Sequence, residues 1–147
     1  MPSKLKILLN DDPILRVVST EVVEFNDELL RLRKDMLYTM YQASGIGLAA
    51  IQVGMSKRMA VIDVSPKRNS PLTLINPVIV SREGESLLSE GCLSLPGVSK
   101  AVKRSANITV EFYDKKGIKK VLKAGGLLAT CIQHEVDHMD GILLVDK

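Results

Sequence analysis

Both histidines of this 147-residue chain lie in one stretch near its end, QHEVDH at residues 133–138. On an α-helix, residues four apart lie one above the other on the same face, so His134 and His138 can bind one metal ion between them. Glu135, directly after the first histidine, can then act on a water molecule bound to that metal. The alternative is a surface helix that carries two histidines by chance. Because the chain has no other histidine, the chelating spacing favours a metal site.

A third ligand is needed, because a catalytic metal site usually has three protein ligands and one open position. Only nine residues follow His138, and they include no His, Glu or Cys. Of the two aspartates among them, Asp140 would lie about 200° around the helix from His138 and so on another face. Asp146 is close to the end of the chain. The third ligand is therefore expected upstream.

The chain has two cysteines, and either could supply that ligand. Cys92 lies in a predicted turn bounded by glycine and proline. Cys131 lies on the histidine helix itself, in an apolar stretch, and three ligands from one straight helix converge poorly. Cys92 is therefore preferred, and Cys131 remains the rival. A thiolate with two imidazoles suits zinc, iron, nickel or cobalt.

The hydrophobic pattern predicts an α+β fold, with antiparallel β-strands packed around a central metal-binding helix and a further helix near the N-terminus. With 46% hydrophobic residues, residues 1–147 can bury one core, so a single domain is expected. Gly45 is expected to take the left-handed conformation that ends the N-terminal helix, and Pro77 predicts a sheet edge or a bulge. The predicted helices are 27–43 and 127–139, and the predicted strands are 58–64, 72–80, 85–89, 107–113 and 118–122.

Composition restricts the partners and the compartment. The net charge of +3 is not concentrated in an arginine-rich run, so no direct nucleic-acid binding is expected. Two cysteines in different contexts do not make a disulfide scaffold, which favours a reducing compartment. No signal-peptide core and no run of about 20 apolar residues is present, so we expect a cytoplasmic protein without a membrane span. We also expect it to be a monomer.

Three separated stretches resemble the peptide deformylase family: GIGLAAIQ at residues 45–52, EGCLS at 90–94 and QHEVDH at 133–138. Their combination, in this order and at these separations, is far more specific than any one of them. The resemblance extends over nearly the whole chain. It implies a metal-dependent amide hydrolase that removes the N-formyl group from the N-terminal formyl-methionine of nascent polypeptides.

The resemblance also implies roles for individual residues. Cys92, His134 and His138 would bind the metal, natively Fe²⁺ and often exchanged for Zn²⁺, Ni²⁺ or Co²⁺. Glu135 would be the general acid and base beside a metal-bound hydroxide, while the Gln52 amide and the Leu93 backbone N–H would stabilise the oxyanion. The backbone of Ile46 and Gly47 would pair with the substrate as an added strand. The expected substrate-binding set, which includes apolar candidates for a methionine pocket, is Gly45, Ile46, Gly47, Leu88, Glu90, Gly91, Leu127, Thr130 and Cys131.

The chain departs from the family pattern in two ways. Most members continue past the position of Lys147 with another, often basic, C-terminal helix, so this chain resembles a short form, and any association with the ribosome is expected to be transient. Some relatives also place a substrate-contacting arginine near the position of Ser99. The corresponding stretch of this chain, GVSK at residues 97–100, contains no arginine. A bacterial cell, a phage-infected host or an organelle would each fit as the source.

Three other interpretations compete with a deformylase. The first is a metalloprotease or an amidase that acts on another acyl group. The second is a non-catalytic structural zinc module that binds RNA, but a closed structural site would use four protein ligands and would not need Glu135 or Gln52. The third is a family member that has lost its activity, although every motif residue is present.

Overall fold

A computed structural model describes all residues from Met1 to Lys147. Its regular elements are two α-helices and seven β-strands, with short 3-10 turns between them. In chain order they are α1 (Asp27–Gln42), β1 (Gly47–Ala49), β2 (Met59–Ile62), β3 (Leu72–Glu83), β4 (Ser86–Cys92), β5 (Leu95–Arg104), β6 (Asn107–Tyr113), β7 (Lys119–Gly125) and α2 (Gly126–Met139). The 3-10 turns span Pro13–Arg16, Ala50–Val53 and Leu144–Asp146. No helix is long and apolar enough to cross a membrane.

Helix α1 begins at a capping residue and ends in an unexpected way. The Asn26 side chain accepts a hydrogen bond from the N–H of Leu29 at 3.0 Å, which satisfies one of the free donors of the first turn. At the other end, Ser44 takes the left-handed conformation (φ 56°), so the prediction that Gly45 would do so is wrong. Gly45 instead allows a close approach, because a Cβ there would lie 2.6 Å from Cδ1 of the Leu93 side chain.

The strands form two separate antiparallel sheets. The larger has the order β1-β2-β3-β6-β7, with β1 at an edge, and the smaller is the β4–β5 hairpin. Strand β2 is buried on both faces, because Val61 packs in the cluster beneath α1 and Ile62 in the cluster beneath α2. The structure therefore confirms the predicted α+β fold with a central metal-binding helix.

The sheets differ from the prediction around β5, and they decide between the two alternatives predicted for Pro77. Strand β5 was not predicted, and Cys92 is the last residue of β4 rather than part of a turn. Strand β5 exposes most of its residues, so it lacks the apolar alternation that marks a half-buried strand. At Pro77 the register shifts between Ile75 and Val78, which confirms the bulge and not the edge, because β3 lies between β2 and β6.

The C-terminal end of α2 is tied to the N-terminal part of the chain. The carbonyl of Met139 accepts hydrogen bonds from the N–H of Ser19 at 2.8 Å and from Nη1 of Arg58 at 3.1 Å. Arg58 also donates to the Asp140 carboxylate at 3.0 Å. Carbonyls in the last turn of a helix have no partner within it, so these donors stabilise the end of the helix that carries His138.

Candidate metal centre

Helix α2 and the end of β4 bring three potential metal ligands together. The Nε2 atoms of His134 and His138 are 3.1 Å apart, and Sγ of Cys92 is 3.4 Å from Nε2 of His138. The ligand atoms of all three residues lie within 4.8 Å of one another. The structure thus places the predicted set at one point, and Cys131, the rival, is not part of it.

The chemistry of the two cysteines agrees with this choice. Cys131 is buried, and burial together with the nearby carboxylates of Glu135 and Glu90 raises the pKa of its thiol to about 12. A protonated thiol is a poor metal ligand. Cys92 is instead partly exposed and lines a cavity, with the Gln52 amide 3.6 Å from its sulfur.

A buried ionic network holds His134 from behind. Oε1 of Glu90 lies 3.0 Å from Nδ1 of His134, and the same carboxylate accepts hydrogen bonds from Nε and Nη2 of Arg104 at 2.6 and 2.9 Å. Arg104 also donates a hydrogen bond to the Asp137 carboxylate at 2.8 Å. Burial alone would raise the pKa of Glu90, but its bonds to His134 and Arg104 outweigh burial and lower it. Glu90 therefore remains a carboxylate that turns Nε2 of His134 toward the centre.

The carboxyl of Glu135 has the properties of a proton carrier. Its side chain is buried, and Oε1 has no hydrogen-bond partner within the chain. Burial raises the pKa of Glu135 to about 7, with further upward contributions from Glu90 and Asp137 and downward ones from His134 and Arg104. An unpartnered buried oxygen beside three converging ligands fits a site that is completed by a metal ion and a water molecule.

Gln52 is oriented by its own 3-10 turn. Its Oε1 accepts a hydrogen bond from the N–H of Ala49 at 2.9 Å, which fixes the amide so that Nε2 faces Ser94 at 2.9 Å and Cys92 at 3.6 Å. The backbone N–H of Leu93 makes no hydrogen bond within the chain. The Gln52 amide and the Leu93 N–H therefore both lie beside Cys92, and their role as oxyanion donors stays a prediction.

The sequence and the fold both match one family of known proteins. The model of the polypeptide deformylase family matches residues 4–147. The chain belongs to the peptide deformylase family. A peptide deformylase of Nitrosococcus oceani is 50% identical over 142 residues, which cover 97% of this chain and 85% of the relative. A peptide deformylase of Rhizobium meliloti is 49% identical, with 95% and 82% covered.

Solved peptide deformylases have the same fold. The structure of the Legionella pneumophila enzyme superposes with a TM-score of 0.95 at 44% identity and covers 98% of this chain and 85% of that one. The enzyme of Thermotoga maritima gives 0.95 at 36% identity, with 99% and 97% covered. A Synechococcus elongatus deformylase in complex with actinonin gives 0.94 at 45% identity, with 97% and 79% covered.

A deformylase needs a cavity beside its metal centre, and one of about 530 Å³ opens there. Most of the predicted substrate-binding residues line it. Leu88, which pairs with Val102 in the hairpin, is the exception. Glu90 also lines it, but its carboxylate is engaged by Arg104 and His134. The cavity-lining residues that the sequence had already assigned to the site are Gly45, Ile46, Gly47, Gln52, Glu90, Gly91, Cys92, Leu93, Leu127, Thr130, Cys131, His134 and Glu135. The lining that was missed comprises Ser44, Ser89 and five residues of β5, Leu95, Pro96, Gly97, Val98 and Ser99.

Strand β1 approaches the deformylase centre closely because Gly47 has no side chain. A Cβ at that position would lie 2.3 Å from Oε2 of Glu135. The strand is also an edge, paired with β2 on one side only. An edge strand leaves backbone donors and acceptors free to pair with an extended peptide.

Proposed function

We propose that Cys92, His134 and His138 hold one divalent metal ion with which this chain removes the N-formyl group from formyl-methionine at the N-terminus of nascent polypeptides. The observation that carries the proposal is the convergence of three ligand atoms within 4.8 Å beside an unpartnered, buried oxygen of Glu135. Membership of the deformylase family supplies the reaction.

The proposed metal is Fe²⁺, with Zn²⁺, Ni²⁺ or Co²⁺ as replacements in the purified protein. One thiolate and two imidazoles favour these ions over Mg²⁺ and Ca²⁺, which prefer oxygen ligands. When bound, such an ion supplies a Lewis acid that polarises the formyl oxygen and lowers the pKa of a water molecule from about 15.7 toward about 7.

Glu135 moves the protons. Burial raises the pKa of Glu135 above its ordinary value, and a carboxyl so placed can take a proton from the attacking water and return it. The water oxygen adds to the formyl carbon, the bond between that carbon and the methionine nitrogen breaks, and Glu135 delivers the proton to the departing amine. The products are formate and a peptide with a free N-terminus.

The side-chain amide of Gln52 and the N–H of Leu93 stabilise the charge that develops on the formyl oxygen. The Gln52 amide is held in place by Ala49, so it needs no reorganisation when that charge appears. Each such donor typically contributes about 10²–10³-fold to the rate. Gly45 and Gly47 bring the backbone against the reacting carbon, and this crowding excludes acetyl and larger acyl groups.

The substrate lies between β1 and α2. The backbone of Ile46 and Gly47 pairs with the extended peptide, and Leu127, Thr130 and Cys131 form the wall that receives the methionine side chain. Residues 1–147 act as a single monomeric catalytic domain in the cytoplasm. Nascent chains are its partners, and any contact with the ribosome is transient.

The deciding experiment is a deformylation assay on formyl-Met-Ala-Ser with anaerobically prepared ferrous protein and a parallel measurement of metal content. Acetyl-Met-Ala-Ser and unblocked Met-Ala-Ser serve as competing substrates, and faster cleavage of either would refute the proposal. We expect Glu135→Gln to keep about one metal ion per chain and to lose nearly all turnover, because glutamine cannot carry the proton. A Glu135→Gln protein with wild-type activity would contradict the assigned mechanism.

A further inference from the structure

Arg68 reaches from the loop after β2 to the strand that borders the cavity. Its Nη2 donates a hydrogen bond to the backbone carbonyl of Gly45, 23 residues earlier in the chain. Its guanidinium carbon lies 5.1 Å from the centre of the Tyr41 ring, a stacking distance for a cation over an aromatic face. Arg68 is half-buried and does not itself line the cavity.

The loop that carries Arg68 is held by a buried aspartate. Asp63 is 1% exposed and accepts hydrogen bonds from the hydroxyl of Tyr41 at 2.6 Å and from the N–H groups of Ser65 and Ser70 at 2.9 and 3.2 Å. Arg68 itself has a φ of 58°. A non-glycine residue takes this conformation at a cost of about 1 kcal/mol or more, and it persists where surrounding contacts hold it. Tyr41 thus holds the loop through Asp63 and the guanidinium through its ring.

These contacts fix the two peptide groups on either side of Ile46. Arg68 binds the carbonyl of Gly45, and the N–H of Asp63 donates to the carbonyl of Ile46 at 2.8 Å. The N–H of Ile46 has no hydrogen-bond partner within the chain. Because the peptide bond is trans, this N–H points away from the carbonyl that Arg68 holds. Ile46 lines the cavity, and its backbone N–H is free to bind a ligand there.

We infer that Arg68 is a positioning residue for substrate binding, which fixes the Gly45–Ile46 peptide plane so that the Ile46 N–H donates to a backbone carbonyl of the bound peptide. This inference rests on the proposed function and extends it to a residue outside the cavity. Without the guanidinium, the peptide plane is free to rotate, and an unfixed donor binds more weakly because ordering it opposes binding.

The test compares two substrates that differ in the group the donor would recognise. Formyl-Met-Ala-Ser contains backbone carbonyls after the formyl group, whereas N-formyl-3-(methylthio)propylamine has the same formyl group and thioether chain but no such carbonyl. For Arg68→Ala we expect kcat/KM on the peptide to fall about tenfold, the size of one well-placed hydrogen bond, mainly through KM. On the amine substrate we expect a change of less than about twofold. The quantity that decides is the ratio of the two kcat/KM values.

Lys67→Ala is the matched control, because it removes the same charge from the same loop at an exposed side chain. Its ratio should equal that of the wild type. Arg68→Lys, which keeps a positive charge but not the planar guanidinium, provides a second variant, and thermal unfolding and metal content are measured for each protein. A fall in the ratio in either Arg68 variant supports the inference, and an unchanged ratio in both overturns it. A wild-type protein that does not deformylate formyl-Met-Ala-Ser would overturn the proposed function, and this inference with it.

Discussion

Gly47→Ala tests how closely β1 must approach the Glu135 carboxylate. The added methyl carbon would lie 2.3 Å from Oε2 of Glu135, about 1 Å less than an ordinary carbon–oxygen contact. Gly47 does not have a positive φ, so alanine is compatible with the backbone there. The substitution therefore acts on the position of Glu135 rather than on the fold of the strand.

The expected effect on catalysis is large and the effect on stability is small. A displacement of a reacting group by about 1 Å can reduce the rate about 10²-fold, so we expect kcat on formyl-Met-Ala-Ser to fall by at least that factor. The free energy of unfolding should change by less than about 2 kcal/mol, because overpacking and the smaller entropy of the unfolded chain oppose each other. Metal content should stay at the wild-type level, since the methyl group meets Glu135 rather than a ligand.

Gly45→Ala is the matched control, because its added methyl group crowds the Leu93 side chain rather than the Glu135 carboxylate. Its Cβ would meet Cδ1 of Leu93 at 2.6 Å, and the end of a leucine side chain can rotate away. We expect a loss of kcat about tenfold smaller than for Gly47→Ala. Steady-state kinetics with metal-loaded proteins measures both. If Gly47→Ala retained kcat within threefold of the wild type, the proposed position of Glu135 during catalysis would be wrong.

Two further predictions concern buried carboxylates. Glu90→Gln should weaken metal binding about 10–100-fold in a chelator competition, because His134 loses the carboxylate that orients it; affinity equal to wild type would contradict this role. Burial raises the pKa of Asp63, but hydrogen bonds from Ser65, Tyr41 and Ser70 outweigh it and lower the pKa from 3.8 to about 2. Asp63 therefore stabilises the fold above about pH 4, and about 2 kcal/mol should be lost as the pH falls from 4 to 2. Urea unfolding at pH 5 and pH 2.5 should show a smaller difference for Asp63→Asn than for the wild type, and an equal difference would refute the assignment.

The metal ligands could be predicted because their positions follow from local geometry and elimination. His134 and His138 are one helical turn apart in any α-helix, and Cys92 and Cys131 are the two thiols of the sequence. The choice of Cys92 also rested on a physical argument, the poor convergence of ligands from one helix, and the structure agrees.

The parts of the site that could not be predicted depend on contacts between distant segments. Strand β5 is largely exposed and has no regular apolar alternation, so the sequence did not predict it, and the cavity wall from Leu95 to Ser99 was not predicted either. Arg104 follows Glu90 by 14 residues and is paired with Ser86 in the β4–β5 hairpin, so its side chain reaches Glu90 only in the folded hairpin. Arg68 lies in a polar loop, and its contact with Gly45 appears only when α1, β1 and that loop meet.

The β4–β5 hairpin shares no strand pairing with the five-stranded sheet, yet it supplies one ligand of the metal centre while α2 supplies two. An ion held by Cys92, His134 and His138 therefore acts as a cross-link between two parts of the fold that are otherwise joined by side chains such as Glu90 and Arg104. The free energy of metal binding then also favours the folded state. Exchange of the ion therefore changes both the catalytic rate and the stability of the fold. The lifetime of the folded enzyme is coupled to the occupancy of its catalytic centre.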